Sequence, residues 1–533
     1  MRFPILVNSR WMTLLGIVFF TLLLTILLAD RTSVTMDEFL VYHALACKTQ
    51  PFNDVWNGGR EPCRGFDLAP FSWLTTERIY LPARSYGYVG SLQGLFYLPL
   101  YLIWKHPYSA KFFGVFLIGV QAALISSVFS HSVWLVLGVL LLFMPYVFQH
   151  FADVGQLSLT TTSVFLLVFL CKRWIADLVA SRRRAWFIVT AIGLLNFVIL
   201  LFRVNNVAYM PTYLTIQALC VWFFGLKMVW EFRRQAFILQ SVWAAFIFLC
   251  GSFIWFTAVD RWGNPLYTSF LNPSDRVATG GGIWLSISVI WKHFEVALAQ
   301  YLIRPLLSAH VEHAINFDSP LEGIELWIII GLILIISWFF APVRRFRLFS
   351  FLCLLIFAGG IFSISAVSRS WGMHHLIPVY PILLIAIFST LPPRIGPAIG
   401  CLLAAFALVN IRLYALLSQL DPLAHEFDGR LIALNDEINE RFAKSHLIIV
   451  GSWGIYYTKL VYGPRDQSVI WADTWDSSAI QAAKRADQAA GKPALFVLRG
   501  EPPEEYWKNF ARAIERVDTK VQIADWSLWR EVT

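Results

Sequence analysis

Two adjacent carboxylates, Asp37 and Glu38, stand a few residues past the first long apolar run, in Asp30-Arg31-Thr32-Ser33-Val34-Thr35-Met36-Asp37-Glu38. Carboxylates just outside a membrane helix place a general base at the bilayer surface, where an enzyme acting on a lipid-linked substrate needs one. The plain alternative is a pair of solvated loop acids, and the pair alone does not separate the two. A third acid, Asp153, opens a later apolar run in Phe151-Ala152-Asp153-Val154-Gly155-Gln156. Two histidine groups add coordinating or anion-binding chemistry: His310-Val311-Glu312-His313 and His374-His375. Zinc takes four ligands in a definite geometry, and one short cluster without a matched second one falls short of that. A divalent metal therefore stays open, with its ligands unassigned, and His374-His375 suit an anionic head group better.

The elements that must hold these residues are membrane spans. Of 533 residues, 57% are hydrophobic and only 14% charged, with mean hydropathy +0.60. A soluble domain carries roughly a quarter charged residues. The first apolar run, Trp11–Ala29, is long enough to span and is followed by no small-residue cleavage site, so it reads as a retained helix. The net charge of +9 comes from clusters between apolar runs: Lys172-Arg173, Arg182-Arg183-Arg184, Arg233-Arg234 and Arg344-Arg345-Phe346-Arg347. Short basic loops of this kind mark the cytoplasmic side, which argues against nucleic acid as a partner.

Charge then orders the crossings. Arg2 and Arg10 put the N-terminus inside, so Asp37 emerges outside. The basic loop from Lys172 to Arg184 is inside, so Leu157–Cys171 crosses inward and leaves Asp153 outside. Three apolar runs lie between the two acids, Tyr88–Trp104, Lys111–Phe129 and Val133–Gln149, yet parity requires an even number of crossings. Tyr88–Trp104, with Gln93, Gly94, Pro99 and several tyrosines, is the one that suits the interface. Further crossings are expected at Trp186–Phe202, Val207–Leu226, Ala236–Val259, Ile324–Phe340, Leu348–Ala366, Leu376–Thr390 and Ile395–Leu417. With the earlier ones they make about eleven spans. Outer loops are expected at 30–106 and 260–323, the second holding a half-apolar run, Trp284–Leu307, that reads as amphipathic or re-entrant.

Residues 421–533 read as a small soluble α/β domain outside the membrane, following the transmembrane part at 1–420. Leu447–Gly451, Ser468–Ala472 and Pro493–Leu498 have the look of short buried strands. Helical patterns at Ser477–Ala490 and Glu504–Arg516 alternate with them, which predicts a mainly parallel sheet. Gly451-Ser452-Trp453-Gly454 lacks the full glycine fingerprint of a nucleotide turn. A structural or acceptor-positioning lobe is the simpler reading. Five cysteines (Cys171, Cys220, Cys250, Cys353, Cys401) fall in or at the ends of spans, where they read as small buried residues. Cys47 and Cys63 are the pair in the first outer loop; in an oxidising compartment a disulfide between them would brace the segment carrying Asp37.

Taken in order, the early acids, the segment Tyr97-Leu98-Pro99-Leu100-Tyr101, the second acid at Asp153 and the late His374-His375-Leu376-Ile377-Pro378-Val379-Tyr380-Pro381 resemble the C-type (GT-C) membrane glycosyltransferases. Within them the chain looks most like the branch of protein O-mannosyltransferases and lipid A aminoarabinose transferases. The resemblance covers about the first 420 residues, and it rests on the order of short motifs. One departure stands out: the family's Lys-Pro-Pro-Leu is replaced by Phe96-Tyr97-Leu98-Pro99-Leu100, so a phosphate-binding lysine is missing there. The resemblance implies an inverting transfer of a sugar from a polyprenyl-phosphate donor to a lipid, glycan or protein acceptor at the outer face of a bacterial inner membrane. It also implies Asp37 as base, Asp153 as the residue that orients the acceptor or helps to hold a metal, and Glu38 in a secondary role. Outer-edge cations, Arg203, Arg304, Arg369, His374 and His375, are then the candidates for the donor phosphate, although arginines at a membrane edge also serve as anchors. An O-antigen ligase or polymerase would use other outer-loop motifs. A transporter or flippase of lipid-linked sugars would carry polar residues or broken helices in mid-bilayer.

Overall fold

A chain crossing lipid must satisfy its backbone hydrogen bonds within each segment, and the apolar runs do so as helices. The computed structural model describes residues 9–28, 92–142, 156–180, 182–202, 209–227, 344–367, 377–391, 402–405, 430–442, 446–450 and 453–463. It also describes the strands at 74–75, 80–81, 469–472, 494–499, 517–523 and 526–531, and parts of 206, 230–250, 338–339 and 400. The chain is a polytopic helical membrane protein with two compact units. One comprises Met1–Thr25, Gly87–Gly90 and Phe112–Leu417; the other comprises Ile26–Tyr86, Ser91–Lys111 and Ser418–Thr533.

The helices are α1 (Ser9–Leu28), α2 (Leu92–Ile103), α3 (Pro107–Phe129), α4 (Val133–Leu142), α5 (Gln156–Ala180), α6 (Arg182–Phe202) and α7 (Met210–Phe224). They continue with α8 (Arg344–Val367), α9 (Tyr380–Thr390), α10 (Arg430–Arg441) and α11 (Trp453–Tyr462). Proline opens several of them, at Pro107, Pro211 and Pro381, where its missing N–H interrupts no helical bond. Helix α3 stops at Ser130, whose φ of 62° is left-handed and turns the chain toward α4. Among the described residues, Pro107–Phe129, Leu157–Leu178, Arg183–Leu200 and Arg344–Ser363 are long and apolar enough to cross a membrane. Shorter apolar helices lie at Gly16–Ile26, Met210–Phe224, Ile238–Ile247 and Ile377–Thr390. The run at Trp284–Leu307, and most of Ile324–Phe340 and Ile395–Leu417, fall outside the described residues.

Side-chain contacts fix the direction of most helices in the first unit. Lys172, late in α5, donates to the carbonyls of Ser127 (3.0 Å) and Val128 (2.6 Å) at the end of α3. Its ammonium also sits 6.0 Å from the Phe224 ring at the end of α7. Phe223 packs on Phe346 and Phe349 at the start of α8, with ring centroids 5.2 and 4.3 Å apart. Ser350 of α8 donates to Ala386 O of α9 at 3.0 Å, and His131 lies 2.8 Å from Phe388 O. Arg173 and Arg184 both reach Asp177, at 3.1 and 3.8 Å. Thus Lys172, Arg173, Arg184, Arg344 and Arg345 gather at one end of the bundle, the arrangement expected of a cytoplasmic face.

The opposite end joins the other helix termini. Asn206, just beyond α6, donates to Thr160 Oγ1 near the start of α5 at 3.2 Å. Tyr213 Oη donates to Pro378 O at 3.1 Å, and Phe357 packs edge-on against Tyr380. Gly360 permits this approach: a Cβ there would stand 2.7 Å from Val379 Cγ1 and 3.1 Å from Thr212 Cγ2.

In the second unit, α2 is twelve residues long and contains Pro99. At 1.5 Å per residue it covers about 18 Å, well short of a hydrocarbon core of about 30 Å. It buries Tyr97 and Tyr101 and leaves Phe96, Leu102 and Ile103 exposed, an apolar stripe that suits an interfacial helix. The C-terminal strands are β3 (His446–Val450), β4 (Val469–Ala472), β5 (Ala494–Arg499), β6 (Val517–Ile523) and β7 (Trp526–Glu531), following a small antiparallel pair, β1 (Leu74–Thr75) and β2 (Tyr80–Leu81). Their order is β4-β3-β5-β7-β6. The first three run parallel, as the sequence suggests. The last two form an antiparallel hairpin that the sequence reading leaves out, so the sheet is mixed and not mainly parallel. The signal was Val517-Asp518-Thr519-Lys520-Val521-Gln522-Ile523, where apolar and polar residues largely alternate as in a strand with one buried face.

Candidate functional site

Every residue singled out for chemistry lies outside the described residues: Asp37, Glu38, Asp153, Arg203, Arg304, Arg369, His374 and His375, together with Cys47, Cys63 and the His310–His313 cluster. Several of them are nonetheless close in sequence to described helix ends. Asp153 shortly precedes α5, and Arg203 directly follows Phe202 of α6. Arg369 comes just after α8, and His374 and His375 just before the 3-10 turn Ile377–Val379 that leads into α9. These four helix ends belong to the end of the bundle opposite the basic clusters, tied by the Asn206–Thr160 and Tyr213–Pro378 bonds.

Below that end lies a layer of buried polar side chains. Gln121 of α3 donates to Thr162 Oγ1 (2.8 Å) and Thr161 Oγ1 (3.3 Å) of α5. Asn196 of α6 and Gln217 of α7 exchange reciprocal amide bonds of 3.0 and 2.9 Å. Each amide also donates to its own helix, at Ile192 O and Tyr213 O. Ser158 Oγ and Asn206 Oδ1 are buried and lack a hydrogen-bond partner among the described residues. The sequence reading did not weigh the uncharged polar residues within these spans and so passed over this layer, although Ser158-Leu159-Thr160-Thr161-Thr162-Ser163 is a conspicuously hydroxylated stretch for a span. The reciprocal amide pair leaves no donor spare for a passing solute. It serves as interhelical glue, worth roughly 1 kcal/mol per bond.

Buried cations are rare, and among the described residues two occur in the second unit. Lys111, early in α3, is fully buried; the sequence reading used it only as the edge of a span. Lys459 of α11 donates to Asn435 O (2.8 Å) and Asn439 Oδ1 (2.7 Å) of α10. Burial pulls its pKa well below the ordinary lysine range, against the opposing pull of Asp436. Nearby, Tyr97 Oη of α2 hydrogen-bonds Ser109 and, at 3.0 Å, Tyr462 Oη, while Lys105 donates to Gly463 O at 3.1 Å. His106 lies 3.4 Å from Asp436 and edge-on to Tyr108. These contacts join α2 to the C-terminal segment.

The depressed Lys459 pKa has a signed consequence. A lysine whose folded pKa lies below its unfolded value opposes folding fully when both states are protonated. The penalty is lifted as pH rises from the folded pKa toward the unfolded value of about 10.4. Stability of the C-terminal segment should therefore climb with pH across that window, and Lys459→Met should flatten the climb. Hydrogen exchange of β3 and β5 in the full-length protein, followed from neutral to alkaline pH, measures it. An equal slope in both proteins would rule the lysine out as the cause.

No group of three His, Cys, Asp or Glu side chains able to hold a metal occurs among the described residues. Cys171, Cys220 and Cys353 are buried free thiols, as their places in spans suggest, whereas Cys250 is exposed. No protein-family model matches the chain, and neither does any curated protein. Among solved structures, the chain is similar to ArnT from Cupriavidus metallidurans bound to undecaprenyl phosphate, with 13% identity, TM-score 0.48 and coverage of 98% of each chain. It is also similar to the same protein in its apo state, with 13% identity, TM-score 0.49 and coverage of 98% of this chain and 99% of that one.

Proposed function

We propose that the chain is a membrane glycosyltransferase that moves a sugar from a polyprenyl-phosphate donor to an acceptor at the outer face of the membrane. The observation that carries the reading is the polarity of the bundle. Basic clusters collect at one end, and the helix ends next in sequence to Asp153, Arg203, Arg369, His374 and His375 meet at the other. An acid and several cations tethered to one bilayer surface supply the two functions that transfer from a lipid phosphate requires. A carboxylate takes the acceptor's proton, and fixed positive charge stabilises the phosphate as it departs.

In this reading Asp37 is the base, Asp153 orients the acceptor and Glu38 has a secondary part. Arg203, Arg304, Arg369, His374 and His375 receive the phosphate. About eleven spans put the segment 421–533 on the same side as Asp37, where it helps to position the acceptor. The exposed apolar stripe of α2 and its bond from Tyr97 to Tyr462 support an interfacial place for that helix beside the C-terminal segment.

The test is mass spectrometry of cell-envelope lipids and glycans with and without the gene, followed by transfer from the missing sugar's polyprenyl phosphate by purified protein. A sugar-modified product that disappears without the gene and is rebuilt in vitro supports the reading. Accumulation of an unflipped lipid-linked sugar, with no transfer by the purified protein, would replace it with transport.

A further inference from the structure

An apolar groove of about 770 Å³ runs between α7 and α8. Its walls carry Thr212, Trp222, Leu355 and Gly359, and Trp230 and Arg234 complete the lining. From Pro211 to Trp222 the α7 wall covers about 17 Å, slightly more than the ~15 Å depth of one hydrocarbon leaflet. Trp222 lies in the last turn of α7, beside Phe223, whose ring meets the start of α8. That is the basic end of the bundle. Among the described residues, Arg234 is exposed, has no ion-pair partner and is the one cation lining the groove. At the other end the lining offers only hydroxyls, and Thr215 already donates to Pro211 O.

We infer that this groove holds one acyl chain of an anionic glycerophospholipid from the inner leaflet, with its phosphate against Arg234. An apolar groove of this length suits a lipid chain, so the head group is what the lining selects. Tryptophans mark the interfacial depth at which head groups sit, and basic sites between membrane helices on the cytoplasmic side bind anionic heads. Among the described residues, the distant end of the groove has no cation in its lining. The inner-leaflet site lies at the basic end, away from the helix ends of the proposed transfer site, and does not depend on that reading.

Native mass spectrometry of the full-length protein, equilibrated with phosphatidylglycerol and phosphatidylcholine of identical chains, tests the assignment. The wild type should retain phosphatidylglycerol about five-fold more strongly, the preference expected for one basic residue at an anionic head. R234Q, a change at an exposed position, should bring the ratio near one. G359F should reduce both lipids, because a Cβ at Gly359 meets nothing within 4 Å and the ring would extend into open groove. Equal retention of the two lipids by the wild type would overturn the proposal, as would an unchanged ratio in R234Q. Displacement of phosphatidylglycerol by polyprenyl phosphate from the wild type but not from G359F would also overturn it.

Discussion

Asp37→Asn should lower turnover by roughly a hundredfold or more while leaving donor binding intact. A sugar hydroxyl is a poor nucleophile, and its proton must leave as the bond to the anomeric carbon forms. The amide keeps the shape of the side chain and cannot accept that proton. Glu38→Gln should be milder, because neighbouring side chains cannot both face one acceptor oxygen. Asp153→Asn should fall between them if that residue orients the acceptor. Single-turnover transfer by purified variants, with donor affinity measured separately, distinguishes loss of chemistry from loss of binding. Full activity in a normally expressed Asp37→Asn protein would move the base to Glu38 or Asp153.

The largest structural effect is expected at Gly400. A Cβ there would fall on the backbone of Trp134 and Leu135, 2.5 Å from Leu135 Cα, and the matching Cβ on Gly138 would strike the Gly400 carbonyl. Backbone meets backbone at this crossing, so no rotamer change can relieve the overlap. Overpacking a tight contact costs about 1–3 kcal/mol and more where nothing can yield. Gly400→Leu should lower the thermal midpoint of the detergent-solubilised protein sharply, whereas Gly359→Ala should not lower it, since that Cβ meets nothing within 4 Å and alanine favours a helix interior. Equal midpoints for the Gly400→Leu protein and the wild type would show that α4 and the segment at Gly400 do not cross so closely.

Patterns short in sequence carried most of what could be read in advance. Apolar runs of span length became α3, α5, α6 and α8, and Leu447, Val469 and Leu495 fall in parallel strands at nearly the expected positions. The charge between the runs anticipated which helix ends share a face. The bond from Tyr97 to Tyr462 was not legible, because its partners are 365 residues apart and nothing in either neighbourhood names the other. The amide pair Asn196–Gln217 was missed for another reason: each residue alone looks like a tolerated polar break in a span, and only their reciprocal bonding gives it meaning. The proposed catalytic acids rest on order along the chain and on resemblance. The described helix ends next in sequence to Asp153, Arg203, Arg369 and His374 lie at one end of the bundle.

Lys172 bears on how the protein acquires its orientation during insertion. Its charge belongs to the basic cluster at the α5–α6 turn, of the kind expected on a cytoplasmic side, and the same ammonium caps the last carbonyls of α3. Neutralising it would alter the charge balance that orients the nascent helices and would uncap a finished one, so the two defects would reach the cell as one phenotype. Charge-swap studies of membrane orientation are better placed at Arg183, which is exposed, with Lys172 left as it is.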